Sequence, residues 1–160
     1  MSERSCFVVL RHVLNATFAA ATALSTSPFS VLSSKELVAE ANKVINTMSA
    51  EQVKEALKNG ELTLIDIRDI RELWNEGTIK DSIHIPRGML EFWLDPSSAY
   101  YNEKKLGNVK NIVLYCALGF RSALATKALK EMGFKNVYNA EGGFDSLKSA
   151  GLEIVQKEKK

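Results

Sequence analysis

The strongest constraint on the fold is an alternation that begins at residue 62. Short β-branched or apolar runs at residues 62–67, 82–85, 111–115 and 136–139 are separated by stretches of helical character at 70–76, 88–94, 100–106, 122–132 and 144–150. Strands separated by helices favour a parallel sheet with helices on both faces and right-handed crossovers. The expected fold is therefore α/β, a parallel sheet of about five short strands. The 111–115 run, Asn-Ile-Val-Leu-Tyr, reads as the clearest buried strand. In such sheets ligands bind outside the carboxyl ends of the strands. Cys116 stands at one of these ends, directly before a helix.

The flanking segments set the domain boundaries. Ser33 with Glu36 has capping-box spacing and opens a helix over 33–48, with Leu37, Ala41, Val44 and Met48 at helical intervals. A second box, Ser49 with Gln52, opens a helix that Gly60 can end, and the main domain is read as 49–156. Residues 157–160 form a charged tail. Residues 1–32 carry Arg4, Arg11 and one acid, Glu3, followed by a small apolar run and a Ser/Thr/Pro-rich stretch. No run there reaches the roughly 18 apolar residues that span a bilayer. The segment reads as an unstructured extension or a targeting sequence. The folded domain is expected in the cytoplasm, or in the periplasm or an organelle if 1–32 directs import.

A net charge of +2 argues against bulk attraction to nucleic acid or lipid, so neither is an expected partner. A monomer or weak dimer is expected. The two cysteines, Cys6 and Cys116, lie in unlike regions, and no C-x-x-C pair occurs, so a structural disulfide is not expected. His12 and His84 lie outside any ligand spacing, and no metal or cofactor is expected.

The segment that bears chemistry is Cys116-Ala117-Leu118-Gly119-Phe120-Arg121-Ser122. Backbone N–H groups in a tight strand-to-helix loop have no intrahelical partners and point where an anion or thiolate would sit. Arg121 adds a positive charge at the rim, and both effects favour a reactive thiolate. Gly119 permits the sharp turn, and Ser122 is read as the residue that caps the following helix. The alternative for Cys116 is a small buried core residue.

Together these residues resemble a single-domain rhodanese. The family's C-x-x-G-x-R-S pattern stands as Cys116, Gly119, Arg121 and Ser122, and its D-x-R motif as Asp66 and Arg68. Its I-H-I-P-R-G segment occupies 83–88, its E-G-G turn 141–143 and its A-G-L ending 150–152, so the resemblance covers residues 49–155. Two positions depart from the pattern. The usual first histidine is missing from Gly77-Thr78-Ile79-Lys80-Asp81-Ser82, and Leu147 stands where a tryptophan is common.

The resemblance implies a rhodanese-like fold and sulfur transfer. Cys116 would take the outer sulfur of thiosulfate or a persulfide and pass it to a thiol, a sulfur-accepting protein or cyanide. Ala117, Leu118, Gly119, Phe120, Arg121 and Ser122 would bind the anion, with Arg121 holding an anionic donor. Arg68 and Arg87 are candidates for the pocket rim, against ion pairs with Asp69, Glu72 or Glu91. Asp66 reads as a structural acceptor of backbone hydrogen bonds, and His84 as a satisfied core histidine. Phe92, Trp93 and Leu94 read as core more than as pocket. A non-catalytic binding or redox-relay module is the alternative. A phosphatase or arsenate reductase is disfavoured, because such loops need five residues between cysteine and arginine, and only Ala117 to Phe120 intervene here.

Overall fold

The central sheet has five parallel strands, in a computed structural model that describes residues 31–159 apart from 108 and 110. In order across the sheet they are β1 (Asn46–Met48), β6 (Val137–Ala140), β5 (Ile112–Tyr115), β2 (Thr63–Asp66) and β4 (Ile83–His84). A separate antiparallel pair joins β3 (Thr78–Ile79) to β7 (Ile154–Val155). The helices are α1 (Ser34–Asn42), α2 (Ala50–Lys58), α3 (Ile70–Glu76), α4 (Leu90–Leu94), α5 (Glu103–Leu106), α6 (Phe120–Glu131) and α7 (Gly143–Ser149). The expectations about Cys6, His12 and a targeting segment fall outside the described residues. Among the described residues no helix is long and apolar enough to cross a membrane.

Every residue of β5 is buried, as its unbroken apolar run requires of a strand covered on both faces. Ile112, Leu114 and Cys116 join Ile65, Ile67 and Val137 in a core covered by Leu90, Leu94, Leu106, Ala125 and Leu129 of α4, α5 and α6. On the opposite face Val113 and Tyr115 join Leu64 and Ala140 under Val53 of α2 and Phe144 and Leu147 of α7. Leu147 is fully buried where the family pattern has tryptophan.

Both sequence-read capping boxes form, with Ser33 accepting from the Glu36 N–H and Ser49 from the Gln52 N–H. The first helix is shorter than its apolar spacing predicts, ending at Asn42 rather than 48. Asn46–Met48 instead forms β1, which pairs with β6 and supplies the fifth strand. An N-cap must be extended, and Ser49 is, with φ −68° and ψ 162°; a helix running through Met48 into it is therefore excluded. Strand pairing also satisfies backbone groups that β6 would otherwise leave unpaired.

Arg68 is the largest fully buried side chain and is not at a pocket rim. It bonds Asp66 through Nε and Nη2, the Gly77 carbonyl at 2.7 Å and Glu76 at 2.9 Å, and lies 3.8 Å from the centroid of the Phe144 ring. Burial opposes its charge, but the bonds to Asp66 outweigh that and raise its pKa. The pairing expected with Asp69 or Glu72 is replaced by Asp66 and Glu76. Asp66, as expected, also accepts a backbone bond, from the Arg68 N–H at 3.0 Å. Its remaining oxygen capacity takes the Thr78 hydroxyl at 2.8 Å, which in turn meets the Tyr115 hydroxyl at 2.8 Å.

Burial, followed by the Asp66 charge, pushes the Tyr115 hydroxyl well above its ordinary range. A group with a raised folded pKa loses its contribution to stability as pH rises above its unfolded value, near 10 for tyrosine. Urea unfolding is therefore expected to show stability falling above about pH 10. Tyr115→Phe should flatten that decline while costing about 1–3 kcal/mol at neutral pH through the partners left unpaired.

Candidate active site

Cys116 directly follows β5, whose four residues are all buried, and is itself 1% exposed. The chain then turns through Gly119, at φ +88°, into α6. The loop's orientation is set from behind by the Glu141-Gly142-Gly143 turn. The Phe144 N–H donates to the Cys116 carbonyl at 2.7 Å and the Asp145 N–H to the Ala117 carbonyl at 3.3 Å. These donors belong to the first turn of α7, which has no intrahelical partner for them. In a trans peptide the N–H points opposite to the C=O. The N–H groups of Ala117 and Leu118 are therefore turned away from α7, toward the open side of the loop.

The first bond inside α6 runs from the Ala123 N–H to the Gly119 carbonyl at 3.0 Å. The N–H groups of Phe120, Arg121 and Ser122 precede it and are free to face an anion. The Ser122 hydroxyl donates to Cys116 Sγ at 3.5 Å, which places the sulfur against this helix terminus. Ser122 is fully buried and does not cap the helix as the sequence suggests. Gly119 occupies the cap position, because the left-handed turn is made one residue after Leu118, and Ser122 falls in the first helical turn facing inward.

Arg121 reaches over to α3, where Nη1 and Nη2 grip the two oxygens of Glu72 at 2.7 Å each. Hydrogen bonding to Glu72 raises the guanidinium's pKa, with a smaller favourable contribution from Cys116. The same pair lowers the Glu72 carboxyl, again chiefly through the Arg121 hydrogen bonds. Glu72 is fixed from its own side too, since its Oε2 accepts the Asp69 N–H at 3.0 Å in the capping box of α3. Arg87 pairs with Glu91 at 2.7 Å, the ion-pair alternative for that residue. His84 is half-buried, with Nε2 2.9 Å from the Arg68 carbonyl. Trp93 packs against the core and Leu94 lies in it, whereas Phe92 is exposed.

Sequence reasoning placed Cys116 and residues 117–122 in one loop, and the fold keeps them together. It missed Glu72 as the partner of Arg121 and Gly143 as the support of the loop. The D-x-x-E spacing of Asp69 and Glu72 was the available signal for the first. The second had the weaker signal of two adjacent glycines. Among the described residues no group of three or more histidine, cysteine or acidic side chains is arranged to hold a metal ion.

The family model for the rhodanese-like domain matches residues 49–150. Among solved structures, a Rhodopseudomonas palustris protein described as a possible tyrosine phosphatase shares 39% identity at a TM-score of 0.73, covering 81% of this chain and 99% of its own. The polysulfide-sulfur transferase of Wolinella succinogenes, a homodimer, shares 34% identity at a TM-score of 0.60, covering 78% of this chain and 88% of its own. The tRNA uridine(34) hydroxylase of Photorhabdus laumondii is 33% identical over 96 residues, which is 60% of this chain and 26% of that protein. The chain thus spans about a quarter of the length of that relative.

A Cβ on Gly143, which sits at φ +60°, would stand 2.4 Å from the Cys116 carbonyl oxygen and 2.7 Å from that of Ala117. Gly143→Ala is accordingly expected to cost about 2–4 kcal/mol in urea unfolding, through overpacking and a strained backbone. Ser122→Ala removes one donor to the sulfur and fits the space it leaves. Alkylation of Cys116 by iodoacetamide at neutral pH, followed by mass spectrometry, should slow about tenfold in that variant.

Proposed function

The chain belongs to the rhodanese-like domain family, and on that footing we propose that it is a sulfurtransferase working through a persulfide on Cys116. The observation that carries this reading is the orientation of the loop. The carbonyls of Cys116 and Ala117 bond back to α7, which turns the N–H groups of those peptides to the other side, and the Ser122 hydroxyl holds the sulfur at the start of α6. A ring of N–H donors stabilises negative charge without moving when that charge develops.

In the first half-reaction the Cys116 thiolate attacks the outer sulfur of thiosulfate or a persulfide. The Sγ–S bond forms as the donor's S–S bond breaks, and the electron pair leaves as sulfite or a thiolate. In the second, a thiol, a sulfur-accepting protein or cyanide takes the sulfur and Cys116 returns as the thiolate. The N–H groups of 117–122 and the Ser122 hydroxyl hold the persulfide anion between the two steps. The sulfur-transferase neighbour from Wolinella supports this chemistry by its described activity.

The possible phosphatase activity of the Rhodopseudomonas neighbour is not carried over. Four residues separate Cys116 from Arg121, one fewer than an oxyanion cradle needs, and Glu72 holds both terminal nitrogens of Arg121. The match to the longer tRNA uridine(34) hydroxylase covers 26% of that protein, so its activity is not carried over.

Incubation with a sulfur donor followed by intact-mass measurement tests the reading. The protein should gain the mass of one sulfur, lost again on addition of cyanide, and Cys116→Ser should gain none. Thiocyanate formation should fall at least about a thousandfold in that variant. A wild-type chain that gains no sulfur, or a variant as active as wild type, would falsify the assignment.

A further inference from the structure

The rim of the Cys116 loop is uncharged or acidic where a receptor for a small inorganic dianion would be basic. Arg121 is the loop's one cation, and the bidentate bonds at 2.7 Å to Glu72 cancel its charge locally. Glu72 cannot readily swing away, because the Asp69 N–H holds it at 3.0 Å. The next basic group on α3, Arg71, is paired with Asp69 at 2.7 Å.

Beside the loop, Leu118 and Phe120 leave 53% and 61% of their surfaces exposed. They wall a depression of about 410 Å³ that reaches Thr47, Ser49 and Asn139. An adjoining depression of about 570 Å³ shares Ser49 and Glu141 with it and adds Glu51 and Asp145. None of these three carboxylates pairs with a cation among the described residues. Exposed apolar side chains in contact with a cavity mark a binding surface more often than isolated ones do.

We infer that the sulfur donor is an organic persulfide with an apolar body, not thiosulfate, and that Glu72 with Leu118 and Phe120 sets this choice. The inference rests on the sulfurtransferase reading and narrows its donor. The body of the donor lies against Leu118 and Phe120, and its terminal sulfur reaches Cys116. The step is Cys116–S⁻ + R–S–SH → Cys116–S–SH + R–S⁻. The Sγ–S bond forms, the donor's S–S bond breaks, and the electron pair leaves with R–S⁻. A thiosulfate dianion gains less from an Arg121 paired with Glu72 than from a free cation, and is repelled by the carboxylates of the depressions beside the loop. Glu72 is thus a positioning residue that acts through Arg121.

The test compares second-order rates of Cys116 sulfur loading from thiosulfate and from benzyl persulfide, read by intact mass. Glu72→Gln keeps an oxygen for the Asp69 N–H but frees the charge of Arg121. It should raise the thiosulfate-to-persulfide rate ratio about tenfold and make thiosulfate loading fall with added salt, as a free cation requires. Phe120→Ser, at an exposed position, should raise the same ratio about threefold by slowing persulfide loading. If E72Q leaves the ratio and the salt dependence unchanged, or F120S slows both donors equally, the donor assignment is wrong while sulfur transfer stands. If neither donor loads Cys116 in the wild type, both readings fail together.

Discussion

Two hydrogen bonds, from the Phe144 and Asp145 N–H groups to the carbonyls of Cys116 and Ala117, fix the geometry on which the site depends. They satisfy the first turn of α7, which would otherwise end with unpaired donors. They also turn the loop peptides so that the opposite groups, the N–H donors, face outward. One contact therefore closes a helix end and builds an anion receptor. The cost is steric, since α7 must approach the loop so closely that residue 143 has room for no Cβ, and it must hold a left-handed backbone. Glycine meets both demands.

The buried charge network lies directly beneath this contact. Arg68 stacks on Phe144, the residue whose N–H holds the Cys116 carbonyl, and bonds Asp66 at the end of the neighbouring strand. A buried cation with one partner removed is costly, and here Asp66, Glu76 and the Gly77 carbonyl share the load. The charge is spent on packing strands and α7 together, away from the sulfur. The loop's own cation is held chiefly by Glu72, so the negative charge on a persulfide rests mainly on backbone N–H groups and Ser122, with a smaller share from Arg121.

The sequence was most legible where a signal is local and periodic. The β5 run, the helix after Gly119 and the capping boxes at Ser33 and Ser49 each depend on a few adjacent residues, and all form. β1 was missed because Asn46-Thr47-Met48 has no strand pattern of its own; its partner β6 makes it a strand. Two-residue strands such as β3 and β7 are too short to carry a period. At the site, Cys116 and Arg121 were legible from their spacing. Ser122 was assigned to a cap because the helix start was read two residues late. The polar partners of Arg68 are all local in the chain, which suits a surface ion pair equally well; what buries it is Tyr115 and Phe144, brought over it from distant parts of the chain. The Arg121–Glu72 pair spans 49 residues, so the D-x-x-E spacing marks Glu72 as a capping residue without naming its partner.

The central claim is that backbone amides, oriented from behind by α7, carry the negative charge on Cys116. Amide ¹H–¹⁵N spectra recorded before and after sulfur loading test it most directly. The amide protons of residues 118–122 should move downfield on persulfide formation, as donors to a new anion do, while those of Phe144 and Asp145, already bonded to the loop carbonyls, should hold their positions. Unchanged shifts at 118–122, or larger movements at Phe144 and Asp145 than in the loop, would contradict the account.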